Sequence, residues 1–439
     1  MADEPSDIVQ SSTGIGSDEP SAISSGASAQ QLSSAAPPAQ PPAQHKTFTT
    51  PPGMPSMRGP EGIMYDFNHG ARIYIPDNGH RYVCMLTEAE SNTILFYAPT
   101  NPGSIINSSK KYYIRYRIKI TEGDRVVFDH TMDMRDRDVL VQMPYEGAVG
   151  DSIAWFSFCE RFRLQNKCRL HVLMPPFLAD LVKKNYPEMV FETPESAKAL
   201  RAYATFYLGL YFKGDVDWQP YDFRLCSLAE QAGNILGVDD LGEQPPLVTI
   251  GERPAGHEKP YVCIATHGSA HAKHWCNPKG WQQVVDNLNK RGYEVIAIDK
   301  EQDVGVGDVW HYMPRGVTDC TGNKPFQERI DMIGHAAFFI GLSSGLSWVA
   351  WMCRVPIVLI SGICGPRGEF QTPYRVATRM TCHGCWNDTR YEFDHHDFMW
   401  CPRFKGTPQA YECTKMITAE MVLAAIDRIP GVLPDPAAA

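Results

Sequence analysis

The chain has 439 residues, 43% hydrophobic and 21% charged, enough for two α/β domains that each bury a core. Its formal net charge of -9 comes without any Lys/Arg cluster, so the electrostatic footprint of a nucleic-acid binder is missing. No apolar run approaches the roughly 18 residues that a membrane span needs, and no basic stretch leads into an apolar core, which predicts a cytoplasmic protein without a membrane span.

Residues 1–58 are dominated by Ser, Ala, Pro and Gln and are predicted to form a disordered tail, because they hold too little apolar surface to offset the entropy of folding. From 59 to 137, strand-like runs at 63–67, 71–75, 81–86, 93–98, 112–120 and 125–130 are separated by Asn, Gly and Pro, which predicts a small antiparallel barrel or sandwich. The rhythm then changes to strand, turn and helix. A strand at 139–143, a helix at 153–163 and further alternation through 192 predict a first Rossmann-like domain over 138–247, whose Pro- and Gly-rich end, 218–247, is predicted to be a connector. A second such domain, 248–439, is predicted from strands at 261–266, 294–298, 337–341 and 356–361 and helices at 280–291, 326–335 and 346–353. The expected fold class is α/β, with two Rossmann-like halves of the GT-B kind behind a small β-rich domain.

Three loops in this frame carry chemistry. The turn Gly147-Ala148-Val149-Gly150-Asp151 lies between a strand and a helix, where Asp151 is either a general base facing a cleft or the cap of the helix that follows. In the second half, 266–275 gathers Thr266, Ser269 and Lys273 after an apolar strand, a set that suits a diphosphate, although a solvated polar loop has the same composition. The turn Ser343-Ser344-Gly345-Leu346 opens a helix, whose N-terminus attracts phosphate, while a serine there also serves as a plain N-cap. Asp299, at the end of a strand, is placed to accept from a ribose or to shape a turn.

Thirteen cysteines without an export signal read as thiols or metal ligands. Four of them, Cys382, Cys385, Cys401 and Cys413, lie within 382–413 in a Trp-, Asp- and His-rich stretch, a spacing that suits a closed tetrahedral zinc or iron site of structural type. His383, His395 and His396 are close enough in sequence to replace one of the thiols.

The run Tyr65-Asp66-Phe67-Asn68-His69-Gly70-Ala71-Arg72, the Ser108-Ser109-Lys110-Lys111 run, the Gly150-Asp151 turn, the Lys273-His274-Trp275 loop, the Gly341–Trp348 turn and the four cysteines together resemble the bacterial autotransporter heptosyltransferases. The resemblance spans about 62–430. It implies a GT-B enzyme that moves heptose from ADP-heptose to Ser hydroxyls of an autotransporter passenger protein, with Asp151 as base and Lys273 on the donor phosphate. It further implies one structural iron (Fe3+) per chain on Cys382, Cys385, Cys401 and Cys413, and a homo-oligomer, a dodecamer. Ser343 and Ser344 stand where the related lipopolysaccharide enzymes carry an acidic residue and Thr. Two other functions fit the same text: a transferase acting on lipopolysaccharide or another polysaccharide, and a metal-stabilised scaffold without turnover.

Overall fold

Runs such as Val139-Leu140-Val141 and Tyr261-Val262-Cys263-Ile264 are apolar at successive positions, so both of their faces need cover, and a parallel sheet between helix layers supplies it. A computed structural model describes residues 48–212 and 215–435 and places each run at the centre of its own sheet. In the first half the strands run in the order Met189–Glu192, Arg169–Leu173, Asp138–Gln142, Ala204–Tyr207, all parallel. In the second, a six-stranded parallel sheet is ordered Thr318–Asp319, Glu294–Ala297, Tyr261–Ile264, Phe339–Leu342, Ile357–Ile360, Arg375–Val376.

Counted from Asp138–Gln142 in the first half and from Tyr261–Ile264 in the second, the chain adds parallel strands first on one side and then on the other. The reversal falls between Asp138–Gln142 and Ala204–Tyr207 in the first half, and between Tyr261–Ile264 and Phe339–Leu342 in the second. At such a point the two connections leave in opposite directions and open a crevice at the carboxyl ends of the strands. One apolar core joins the halves, running from Val139, Val141 and Ile153 through Trp348, Val349 and Phe370.

The region 59–137 does not make a single barrel or sandwich. Strands Met64–Asn68, Arg72–Tyr74 and Ile105–Asn107 extend the first parallel sheet, Met64–Asn68 pairing in parallel with the buried strand Ala204–Tyr207. Val83–Glu88, Ile94–Pro99, Tyr116–Glu122 and Arg125–Thr131 form a separate four-stranded antiparallel sheet. Alternation within each strand was legible; which strand joins which sheet depends on Ala204–Tyr207, 130 or more residues away, which carries no alternation because it is buried on both faces.

Three further expectations change. Residues 1–47 lie outside the described residues, but 48–58 of the expected tail are held in place: Thr49 donates its N–H and hydroxyl to Gln142 Oε1 at 2.9 and 3.0 Å, and Ser56 N–H donates to Asp66 at 2.8 Å. The stretch 218–247 is not a plain connector, because Ser227 and Glu230 form a reciprocal capping box that starts the helix Leu228–Leu236, which packs on the helix Val149–Phe156. The helix expected over 153–163 begins at Val149 and breaks into Val149–Phe156 and Cys159–Asn166. Among the described residues no helix is long and apolar enough to cross a membrane.

Asp66, fully buried, accepts two bonds from Arg72 at 2.7 and 2.8 Å and a third from Ser56 N–H, while Arg72 donates to the Pro52 carbonyl at 2.7 Å. This pair fastens 48–58 to the sheet. Removing one partner leaves an uncompensated buried charge, so Arg72→Met is expected to cost about 3–5 kcal/mol and to expose the 48–58 segment to protease. Urea denaturation with limited proteolysis measures both; a midpoint equal to wild type contradicts the assignment.

Candidate functional site

The two reversals meet. Helices Val149–Phe156 and Gly345–Met352 follow the strands at them, and their first turns pack against one another. A Cβ on Gly150 would lie 2.6 Å from Trp348 Cδ1, and one on Gly345 would lie 2.9 Å from Val149 Cβ, so the two glycines are there for close approach. Around this contact lies a cleft of about 810 Å³, within the range of small-molecule sites.

Of the residues singled out from sequence, Asp151, Ser269, Lys273, Asp299, Ser343, Ser344, Gly345 and Leu346 all line the cleft. Asp151 is not the helix cap. That position is Ala148, and Asp151 sits in the first helical turn with its carboxyl facing the cleft. Burial raises Asp151 to about 6, against the pull of the Lys273 charge across the cleft. The carboxylate therefore exists in quantity at neutral pH and remains basic enough to take a proton.

Lys273 ends a single 3-10 turn, His271–Lys273. Its Nζ donates to Ser269 Oγ at 3.2 Å and stands 5.5 Å from the ring centre of Phe393 and 5.9 Å from that of Trp386. Ser344 is the N-cap of the helix Gly345–Met352, yet its hydroxyl makes no capping bond and is buried without a partner. The plain-cap bond is therefore not made, and the Ser344 hydroxyl lies beside the N–H groups of the first turn with no protein partner. Ser343 Oγ lies 3.1 Å from Cys364 Sγ.

Two expectations are altered. Thr266 is outside the cleft lining: it is buried, and its hydroxyl and N–H both go to Asp299 Oδ2, at 3.2 and 2.7 Å. Asp299 Oδ1 accepts from His267 N–H at 3.2 Å. Both carboxylate oxygens of Asp299 are thus engaged by the start of the loop that carries Ser269 and Lys273, so Asp299 orders that loop whether or not a ribose reaches it.

Sequence reasoning missed Trp348, Glu369 and Trp386 in the cleft wall and placed His395 among possible ligands, whereas it lines the cleft. His383 and His396 are exposed. The signal available for Trp386 was its position directly after Cys385: whatever holds that thiol also sets the wall of the cleft. Cys382, Cys385, Cys401 and Cys413 do come together, lining one small cavity with Trp400 and Tyr411. Burial raises the Cys413 thiol far above its ordinary value, and Cys382, Cys385 and Cys401 push it the same way.

Two parallel α/β halves, with a carboxylate on one wall of the cleft and a lysine, hydroxyls and a helix N-terminus on the other, define a glycosyltransferase of the type that uses nucleotide sugars. Residues 59–124 match the family described as "Glycosyltransferase TibC, N-terminal domain", and residues 208–389 match "Glycosyltransferase family 9 (heptosyltransferase)". The autotransporter heptosyltransferase TibC of Escherichia coli O78:H11 is 44% identical over 384 residues, covering 87% of this chain and 93% of that protein. A crystal structure of TibC, described as a dodecameric iron-containing heptosyltransferase in complex with ADP-D-beta-D-heptose, superposes with a TM-score of 0.83 over 88% of this chain and 100% of that one. BimC of Burkholderia thailandensis, described as an inactive autotransporter heptosyltransferase, is 34% identical, covering 88% of this chain and 90% of that protein. The chain belongs to the autotransporter heptosyltransferase family.

If Asp151 is the base, the rate must follow its ionised fraction. The expected kcat/KM is flat above pH 7 and falls about tenfold per pH unit well below about 6, because protonation removes the acceptor. A pH profile of transfer reads this directly, and an inflection near the ordinary aspartate value contradicts it.

Proposed function

We propose that the enzyme transfers heptose from ADP-heptose to serine hydroxyls of an autotransporter passenger protein, with residues 138–247 on the acceptor side and 248–439 on the donor side of the cleft. The observation that carries this reading is the opposition, across one cleft, of the Asp151 carboxyl to Lys273 and the Ser344 helix N-terminus. The acceptor oxygen attacks the anomeric carbon, its proton passes to Asp151, and the bond from that carbon to the diphosphate oxygen breaks. Lys273, Ser269, Ser344 and the N–H groups at the start of the helix Gly345–Met352 then stabilise the charge of departing ADP. Donor groups of this kind take the place that a divalent ion holds in other glycosyltransferases, so the reaction needs no acidic metal pair.

Within the same reading, Cys382, Cys385, Cys401 and Cys413 hold one structural iron, with zinc as the alternative, and the chain assembles as a dodecamer. The support is the shared cavity of the four thiols and the dodecameric, iron-containing crystal structure of the relative TibC. Cys382, Cys385, Cys401 and Cys413 would hold such an ion, which would tie the loop 382–413 together and so fix Trp386, next to Cys385, in the cleft wall. A cytoplasmic location agrees with thirteen cysteines that are all unpaired.

Intact mass of a passenger co-expressed with the chain in cells making ADP-heptose is the direct test. A ladder of heptose-sized increments is expected, lost with Asp151→Asn, and Lys273→Ala should weaken donor binding and slow transfer by on the order of a hundredfold. An unmodified passenger with donor still hydrolysed points to another acceptor, such as a polysaccharide, and no turnover of any kind points to a scaffold. Cys385→Ser is expected to lower iron per chain and the assembly mass together, read by elemental analysis and light scattering; full assembly without iron contradicts a structural role.

A further inference from the structure

Outside the cleft and the four cysteines, three imidazoles converge. His271 and His274 lie on the turn that carries Lys273, and His311 ends the hairpin strand Val309–His311. One ring nitrogen from each falls within 4.8 Å of the other two, the closest approach being His271 Nδ1 to His311 Nε2 at 2.7 Å. The His274 and His311 rings stack with centroids 3.8 Å apart. His274 is fully buried, His271 nearly so and His311 half-buried.

Burial takes all three out of the protonated form at neutral pH, lowering His271 to about 4, His274 to about 3 and His311 to about 4. Neutral imidazole is the ligating form. Partners outside the cluster orient two of the rings. His274 Nδ1 donates to the Ala270 carbonyl at 3.0 Å, which leaves Nε2 as the lone-pair nitrogen; it now accepts a long bond, 3.3 Å, from Gly268 N–H. His271 Nε2 faces Cys276 Sγ at 3.6 Å, which leaves Nδ1 toward His311. A ring nitrogen held by a second partner so that the other can bind is the usual outer arrangement of a histidine metal ligand.

We propose that His271, His274 and His311 form a second metal site, a three-imidazole clamp that takes one borderline divalent cation of the Zn2+ class and ties the hairpin Val304–His311 to the turn bearing Lys273. The ion replaces the His271 to His311 hydrogen bond. Nitrogen atoms on a tetrahedral ion sit farther apart than 2.7 Å, so the clamp opens slightly and the His311 ring tilts out of its stack with His274. The hairpin allows this, since its Val306 and Trp310 are exposed. Three imidazoles leave a fourth position for water, unlike a closed four-thiolate centre. The site is independent of the heptose-transfer reading and stands or falls separately from it.

The test uses the full-length protein with its iron in place. After incubation with Zn2+ and removal of the excess by gel filtration, about one zinc per chain is expected in addition to the iron, and X-ray absorption at the zinc edge should show a nitrogen or oxygen shell near about 2.0 Å. His311→Ala, with unchanged iron content and melting curve, should lose that zinc; His311→Gln serves if the alanine variant does not fold. A sulphur shell near about 2.3 Å, which would mean zinc in the cysteine site, overturns the proposal. So does the absence of a second metal, or the same zinc content in a folded His311 variant.

Discussion

The close approach of Gly150 to Trp348 and of Gly345 to Val149 is the constraint on which the rest of the molecule depends. Two helices, one from each α/β half, can bring their first turns together only if the residues at the crossing have no side chain to separate them. Their N-termini then open onto the same space. Because each helix follows a strand beside the point where its sheet reverses, this one contact aligns two topological crevices into a single cleft. Asp151 reaches the cleft as a consequence of sitting in the first turn of its helix, and Ser344 as a consequence of preceding the other.

The chemistry of the cleft follows from what is left uncommitted inside it. Asp299 is spent on the loop N–H groups of Thr266 and His267, so it serves as scaffold for Lys273. Asp151 is raised to about 6 by burial, and Ser344 has a hydroxyl with no partner. A basic carboxylate on one wall and a cation, a free hydroxyl and a helix N-terminus on the other are the two ends that the proposed displacement requires, one for the proton of the attacking oxygen and one for the charge of the departing group.

The cysteine segment belongs to this arrangement through its aromatic side chains. Trp386 and Phe393 present their faces to the Lys273 ammonium, and Phe393 packs against Trp386 and Trp400. An ammonium over aromatic faces is attracted by the ring quadrupole, so the position of the cation depends on how the 382–413 loop is held. This loop is built largely of turns, with little regular secondary structure to order it, and the shared cavity of its four thiols supplies the place where it can be tied together.

The sequence alone determined the parts whose signal is local. Parallel strands were readable as unbroken apolar runs, Asp151 and Lys273 were legible as candidates in loops that follow strands, with a helix cap and a solvated loop as the competing readings, and the cysteine spacing marked one segment. Tertiary structure decided what depends on distant partners. The membership of Met64–Asn68 in the first sheet required Ala204–Tyr207, and the ordering of 48–58 required the buried Asp66–Arg72 pair. The roles of Asp299 and Thr266 followed from a mutual hydrogen bond across 33 positions, and the meeting of His311 with His271 and His274 from the folding of a hairpin back onto a loop. Periodicity and spacing report what a residue does to its neighbours in the chain. Burial, pairing and charge are set by neighbours in space, and those are chosen only when the whole core closes.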